Sequence, residues 1–258
     1  MSEQTGTPAA AAGPFDLTGR VAIVTGAAGG IGGAICRRFA EAGARIALFD
    51  RNPAVIEAAA ALGSAHKGFV GDVTDEAAII AGVAAAAAHF GRLDILVNNA
   101  GMGTLYPAEA MPTGDFDLTL AVNLRAPFLF AREAANHMLA SGWGRVVTIA
   151  SQAAVIGIEG HVAYSASKAG LLGMTNCMAL EWGPRGVTAN CISPTVVETE
   201  MGKIGWSGEK GVRARAEIPT RRFAQPDEIA LAALYLASDA AAMVNGANLM
   251  VDGGYTIR

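Results

Sequence analysis

Hydrophobic positions along the chain alternate between two textures. Short aliphatic runs, such as Val21-Ala22-Ile23-Val24 and Leu93-Asp94-Ile95-Leu96-Val97, stand between Gly, Asp, Asn and Arg. Near-continuous apolar runs of this length suit strands covered on both faces, whereas a sheet with one wet face shows strict alternation. Between these runs lie stretches with helical spacing: Ile31, Ile35 and Phe39 recur every fourth residue, and Gly43 closes the pattern. The pattern predicts strands at 20–26, 45–50, 66–71, 93–98, 145–150, 187–193 and 248–251, with helices in the gaps. The alanine-rich run 81–88 reads as helix, because Ala is the best helix former and Gly91 supplies a stop before the next strand. Strands alternating with helices make βαβ units, so the expected fold is α/β, a doubly wound parallel sheet of seven strands with helices on both faces.

Composition adds limits to this picture. A chain of 258 residues fits one large domain, and 52% apolar against 16% charged residues agrees with a sheet buried on both sides. Residues 1–15, rich in Ala, Thr, Gly and Pro, read as a flexible N-terminal tail, and no linker divides 16–258, which is taken as a single catalytic domain. A net charge of −4 without a basic stripe leaves no electrostatic footprint for nucleic acid or an anionic membrane. No unbroken apolar stretch reaches spanning length and the opening residues lack a basic leader, so a soluble, cytoplasmic protein is expected. Cys36, Cys177 and Cys191 are odd in number, lack CxxC spacing and stand among apolar residues, which predicts buried reduced thiols. His66, His89, His137 and His161 show no metal-ligand spacing, so no metal is expected.

The first candidate chemistry lies where the strand Val21-Ala22-Ile23-Val24 breaks into Thr25-Gly26-Ala27-Ala28-Gly29-Gly30-Ile31-Gly32 and opens a helix. Gly26 turns the chain, Gly30 lets backbone approach a pyrophosphate, and Gly32 lets helix and strand pack closely, as in a Rossmann dinucleotide site. The spacing is G-x-x-x-G-x-G, and a structural turn is an alternative reading of it. No Lys-Ser or Lys-Thr follows, which sets aside a Walker-type NTPase loop. Asp50, 24 residues after Gly26, stands where a carboxylate accepts ribose hydroxyls and opposes a 2′-phosphate, so NAD is favoured over NADP. Arg51 beside it keeps the phosphate-holding alternative open, and Asp50 also suits a turn before Asn52-Pro53.

The second lies in His161-Val162-Ala163-Tyr164-Ser165-Ala166-Ser167-Lys168, where Tyr164 and Lys168 share one helix face about a turn apart. A tyrosine titrates near pH 10, and a neighbouring ammonium favours its phenolate, which makes a proton shuttle. Alone, such a pair is also common surface decoration.

Taken together, these two segments, Asn98-Asn99-Ala100-Gly101, Asn123, Ser151 and the closing Val251-Asp252-Gly253-Gly254-Tyr255 resemble the short-chain dehydrogenase/reductase family, in order over residues 17–255. The resemblance implies that Tyr164 is the general acid/base, that Lys168 lowers its pKa and bonds the nicotinamide ribose, that Ser151 orients the substrate oxygen, and that Asn123 holds a relay water. It further implies a cofactor site built from Gly26, Gly29, Gly30, Ile31 and Gly32, with Asp50 and Arg51 at the ribose and Asp72 and Val73 at the adenine. Asn99, Ala100 and Gly101 would floor that site, while Pro194, Val197 and Thr199 would meet the carboxamide. Thr195 departs from the family's usual Pro-Gly after the sixth strand. A homotetramer formed through paired long helices and a C-terminal strand contact is implied as well.

A serine hydrolase is the rival from the same residues, but no serine stands in G-x-S-x-G, leaving only a triad built from His161. Residues 195–219 read as a long, polar, glycine-punctuated loop expected to act as a lid. Gln152 and His161 offer hydrogen bonds, and Ile156 and Ile158 offer apolar wall. Gln152, His161, Pro194-Thr195 and Trp206 resemble the L-xylulose reductase group of sugar-alcohol dehydrogenases, in which the matched Gln, His and Trp line a pocket for a short linear sugar. Asp50 argues for NAD and hence for oxidation, and the pattern is similar to bacterial D-threitol and galactitol dehydrogenases. The expected reaction is therefore polyol to ketose, with D-threitol to erythrulose as the leading case. Lys203, Lys210, Arg213 and Arg215 keep a reductase of 3-oxoacyl thioesters or hydroxysteroids in play, and a non-catalytic NAD sensor or scaffold is the remaining alternative.

Overall fold

The computed structural model describes residues 13–200, 202 and 206–258; most of the expected tail, residues 1–12, lies outside them. Seven parallel strands form one sheet in the order β3-β2-β1-β4-β5-β6-β7. They are β1 (Val21–Thr25), β2 (Arg45–Asp50), β3 (Lys67–Val70), β4 (Ile95–Asn98), β5 (Gly144–Ile149), β6 (Val187–Pro194) and β7 (Asn248–Val251). Each predicted strand is present, with ends displaced by at most two residues. The helices are α1 (Gly30–Glu41), α2 (Val55–Leu62), α3 (Glu76–Phe90), α4 (Thr113–Leu120), α5 (Ala126–Ser141), α6 (Val162–Trp182), α7 (Gly208–Glu217) and α8 (Pro226–Ala237).

The alternation of side chains in β1 explains why its apolar run is unbroken. Ala22 and Val24 pack in one core layer with Ile35 and Phe39 of α1 and Ile229 and Leu236 of α8. Val21 and Ile23 enter the opposite layer with Ile79, Phe130 and Met138 from α3 and α5. The alanine run lies inside α3, whose first amides at Ala77 and Ala78 are capped by the Asp75 carboxylate and whose end is turned by Gly91 at φ +78°. Because β1 pairs with both β2 and β4, the chain winds outward in two directions from β1, and the crevice at the carboxyl ends of β1 and β4 is where such sheets bind ligands.

Two expectations need correction. The 195–219 stretch is not continuous loop, since α7 occupies 208–217 and Val197 forms a bridge with Ala224. Cys36 and Cys191 are buried, with burial pushing their thiols up to about 12 and about 11, but Cys177 is exposed. Its apolar neighbours in sequence sit on other faces of α6, Met178 among the core residues, so local hydrophobicity misplaced it. No helix among the described residues is long and apolar enough to cross a membrane.

Candidate active site

The crevice opens on the glycine turn. Gly26 has φ +65°, and a Cβ there would lie 2.9 Å from Ala100 Cα. A Cβ at Gly32 would lie 2.1 Å from the Gly26 carbonyl oxygen, so Gly32 sits beneath the cavity as a packing position. Asn99 stitches the turn to β4: its amide donates to the carbonyls of Thr25 (2.9 Å) and Gly26 (3.1 Å), while the Asn99 and Ala100 N–H groups donate to the Thr25 hydroxyl. Gly29 precedes α1 in extended backbone and supplies no side-chain cap, so the first amides of the helix remain available to a ligand. Asp50 has one carboxylate oxygen on the Ala28 N–H (3.0 Å) and the other on the Asn52 N–H (2.9 Å). It is a turn residue and a cavity residue at once.

A cavity of about 560 Å³ runs from this cradle across the ends of β4, β5 and β6. Gly26, Gly29, Gly30, Ile31 and Asp50 line one end; Asn99, Ala100, Gly101, Pro194, Val197 and Thr199 line the middle; Ser151, Gln152, His161, Tyr164, Lys168 and Trp206 line the other. Arg51, Asp72 and Val73 are not in this lining. The Asp72 carboxylate accepts the Thr74 N–H and hydroxyl, which together with Arg51 hold it below the ordinary carboxylate range, and Val73 packs against the second core layer.

At the far end, Ser151 leaves β5 and Tyr164 stands in the first turn of α6. The Ser151 hydroxyl accepts the Ala153 N–H (3.1 Å) and is hydrogen-bonded with the Tyr164 phenol. Burial pushes the Tyr164 phenol up, and the Ser151 bond pulls it back down. Lys168 is buried on the same helix face, donates to the Ile149 carbonyl at 2.7 Å, and holds its ammonium 5.6 Å from the Tyr164 ring centre. Burial lowers it to about 8. In this structure the group acting directly on the phenol is therefore Ser151, with Lys168 a ring's width away.

Asn123 lies in a five-residue π-helical turn (Ala121–Arg125) between α4 and α5, fully buried. Its amide donates to the Met102 carbonyl (2.8 Å) and the Ser167 hydroxyl (3.1 Å), and its oxygen accepts the Met102 N–H (2.8 Å). Both amide protons are spent, so Asn123 sits behind the cavity and fixes the chain that leaves β4. His161 Nδ1 lies 2.7 Å from the Glu159 carbonyl, which can only accept, so Nδ1 carries a proton and Nε2 is the ring nitrogen left to face a ligand. The Gln152 side chain is buried, and its Oε1 has no hydrogen-bond partner among the described residues. Ile158 lines the cavity, whereas Ile156 does not.

The β4–α4 loop is a contributor that spacing did not reveal. Met102, Gly103 and Leu105 line the cavity, and a Cβ at Gly103 would lie 3.4 Å from the Tyr164 ring. The loop is folded back by the Tyr106 N–H on the Gly160 carbonyl (3.1 Å), a contact between residues distant in sequence that no local pattern announces.

A family model described as enoyl-(acyl carrier protein) reductase matches residues 26–256. The chain is 54% identical to D-threitol dehydrogenase of Mycolicibacterium smegmatis over 95% of both chains. It is 43% identical to the NAD-dependent glycerol dehydrogenase of Listeria innocua, covering 95% of this chain and 96% of the relative. The crystal structure of a gluconate 5-dehydrogenase from Burkholderia cenocepacia in complex with NADP and tartrate superimposes with a TM-score of 0.91 at 35% identity, over 95% of this chain and 98% of the other. With the parallel seven-stranded sheet, the glycine turn at its switch point and these matches along almost its whole length, the chain belongs to the short-chain dehydrogenase/reductase family.

Proposed function

We propose that this protein is an NAD-dependent dehydrogenase that oxidises a secondary alcohol of a small polyol to the ketose, with D-threitol to erythrulose as the leading reaction. The observation that carries it is one continuous cavity with a glycine cradle at one end and the Ser151-Tyr164-Lys168 cluster at the other. The polyol names of the two relatives above support the substrate class.

The residues present fit a dinucleotide. The free first amides of α1 and the Gly26-to-Gly32 backbone would receive the pyrophosphate, Asp50 the adenosine ribose, and Asp72 and Val73 the adenine edge. Asn99 to Gly101 would floor the site, Pro194, Val197 and Thr199 would meet the carboxamide, and Lys168 the second ribose. The Asp50 carboxylate at the cavity end opposes a 2′-phosphate, which supports NAD over NADP. Nicotinamide, when bound, supplies the hydride acceptor.

The protein's own part is positioning and proton transfer. Ser151 holds the carbinol oxygen beside Tyr164. Tyr164, as phenolate, takes the hydroxyl proton while the carbinol carbon gives up its hydrogen as hydride. Lys168, held on the Ile149 carbonyl, places a positive charge near the phenol. Asn123 acts through Met102 and Ser167 on the shape of the site, and any relay water it holds must use its main-chain carbonyl or the remaining lone pair of its amide oxygen. Gln152, the Nε2 of His161 and the Trp206 ring bound the substrate end.

The acyl-carrier alternative is not favoured. Lys210 lies over the Trp206 ring (4.5 Å), and Arg215 is paired with Glu198 (3.2 Å) and stacked on Phe223, so these two cations are engaged within the lid; Arg213 is exposed, and Lys203 falls outside the described residues. An apolar groove lined by Leu120, Leu124, Phe128 and Met174, with Phe128 exposed, supports the homotetramer through paired helices, and a cytoplasmic setting follows from a cofactor supplied there. Purified protein should reduce NAD with four- to six-carbon polyols and far less with 3-hydroxyacyl thioesters. Thioester activity exceeding every polyol would overturn the assignment.

A further inference from the structure

Six buried side-chain polar atoms lack a hydrogen-bond partner among the described residues, and two of them, Gln152 Oε1 and Thr195 Oγ1, belong to residues that line the active-site cavity. Buried polar groups are nearly always paired, because an orphan forfeits its hydration without return, so an orphan on a residue of a cavity wall is a candidate for a bond to a ligand. Both side chains are more than nine-tenths buried. Their placement is determined by the sheet. Ile149 of β5 pairs with Ile192 of β6, and the Ala150 N–H donates to the Ile192 carbonyl at 2.7 Å, so the chain leaving β5 through Ser151 and Gln152 runs beside the chain leaving β6 through Pro194 and Thr195. The Thr195 backbone is anchored by its N–H on the Val251 carbonyl (3.2 Å). A turn of about 120° around Cα–Cβ carries the hydroxyl into the place held by the methyl or the hydrogen, so the oxygen can be re-aimed without moving the backbone.

We infer that Thr195 is a specificity-determining residue whose hydroxyl, together with Gln152, binds a second hydroxyl of the substrate, on a carbon next to the carbinol held by Ser151 and Tyr164. This rests on the polyol reading above. The threonine hydroxyl donates or accepts and the Gln152 oxygen accepts, so the pair selects a vicinal diol over a simple alcohol: a mono-alcohol leaves both orphans buried and unsatisfied.

The test compares Thr195→Val, which keeps the shape and removes the hydroxyl, with Thr195→Ser, which keeps the hydroxyl. D-threitol and 2-butanol are the substrates, and KM for NAD is measured alongside. Thr195→Val should lower kcat/KM for D-threitol by roughly 10- to 100-fold, mainly through KM. The 2-butanol efficiency and the NAD KM should stay within about twofold, and Thr195→Ser should recover most of the loss. Where 2-butanol turnover is too slow to follow, a loss confined to the polyol KM supports the assignment. A loss in kcat with both KM values unchanged overturns it, as do equal losses on both alcohols, a rise in the NAD KM alone, or an unaltered Thr195→Val enzyme. Wild type active on 2-butanol and idle on every polyol removes the polyol reading and this inference together; a polyol-active wild type with an insensitive Thr195 removes only the latter.

Discussion

At the scale of single residues, the chemistry depends on how burial sets two proton affinities against each other. Tyr164 is raised by burial and drawn down by Ser151, so removing the phenol oxygen removes the proton acceptor without touching the glycine cradle. Tyr164→Phe should therefore lose roughly 10³-fold or more in kcat while NADH binding, followed by fluorescence titration, stays within about threefold. Lys168 falls to about 8 from an ordinary 10.5 because its ammonium is desolvated. Between those values the unfolded chain carries a proton that the native protein lacks, so wild-type stability rises with pH across this window and is least favoured below it. The urea midpoint of the wild type should accordingly gain on that of Lys168→Met between about pH 8 and 10.5; a constant difference would show that Lys168 is not desolvated. At the other end of the cavity, Asp50→Ala should move the NAD/NADP ratio of kcat/KM toward NADP by roughly tenfold. It should also cost some stability, because the Ala28 and Asn52 amides lose their acceptor. Tyr164, Lys168 and Asp50 are visible in sequence because each carries distinctive chemistry at a recognisable spacing. Thr195 stands out in sequence only as a departure from the family's Pro-Gly; that its hydroxyl lacks a partner is seen only in the structure.

At the scale of elements, small residues decide where larger ones sit. The lid segment is organised by α7, and a Cβ at Gly211 would lie 2.0 Å from the Trp206 carbonyl oxygen. Gly211→Ala should push Trp206 out of the substrate end, raising the polyol KM while the NAD KM holds, a split that steady-state kinetics reads directly. The π-helical turn at Asn123 has a comparable effect: it interrupts the run from α4 to α5 and directs the Asn123 amide at Met102, which ties the β4 exit to α6 through Ser167. Helical periodicity predicted helices here, but periodicity cannot register one extra residue in a turn. Likewise the hydrophobic context of Cys177 predicted burial, while the helix face it occupies is exposed. Faces are set by what packs against a helix, and that lies outside any local window.

At the scale of the whole molecule, the apolar groove between the α4–α5 region and α6 is the surface to test for self-association. Light scattering should return four times the 26.3 kDa protomer mass, and Phe128→Glu should reduce it by placing a charge in a buried contact. An unchanged mass in the variant would move the interface elsewhere. The strand–helix alternation, the seven-stranded parallel sheet, the glycine turn and the Tyr164/Lys168 pair could all be read along the chain. Each follows from short-range physics: the period of apolar residues, the conformational range of glycine and the geometry of one helical turn. The joining of the cradle and the acid/base cluster into one cavity, the orphaned oxygens of Gln152 and Thr195, and the withdrawal of Asn123 behind the site arose only with the tertiary structure. These depend on which strand ends lie side by side and on the order β1-β4-β5-β6 in the sheet, and such contacts between distant residues leave no periodic trace in the sequence.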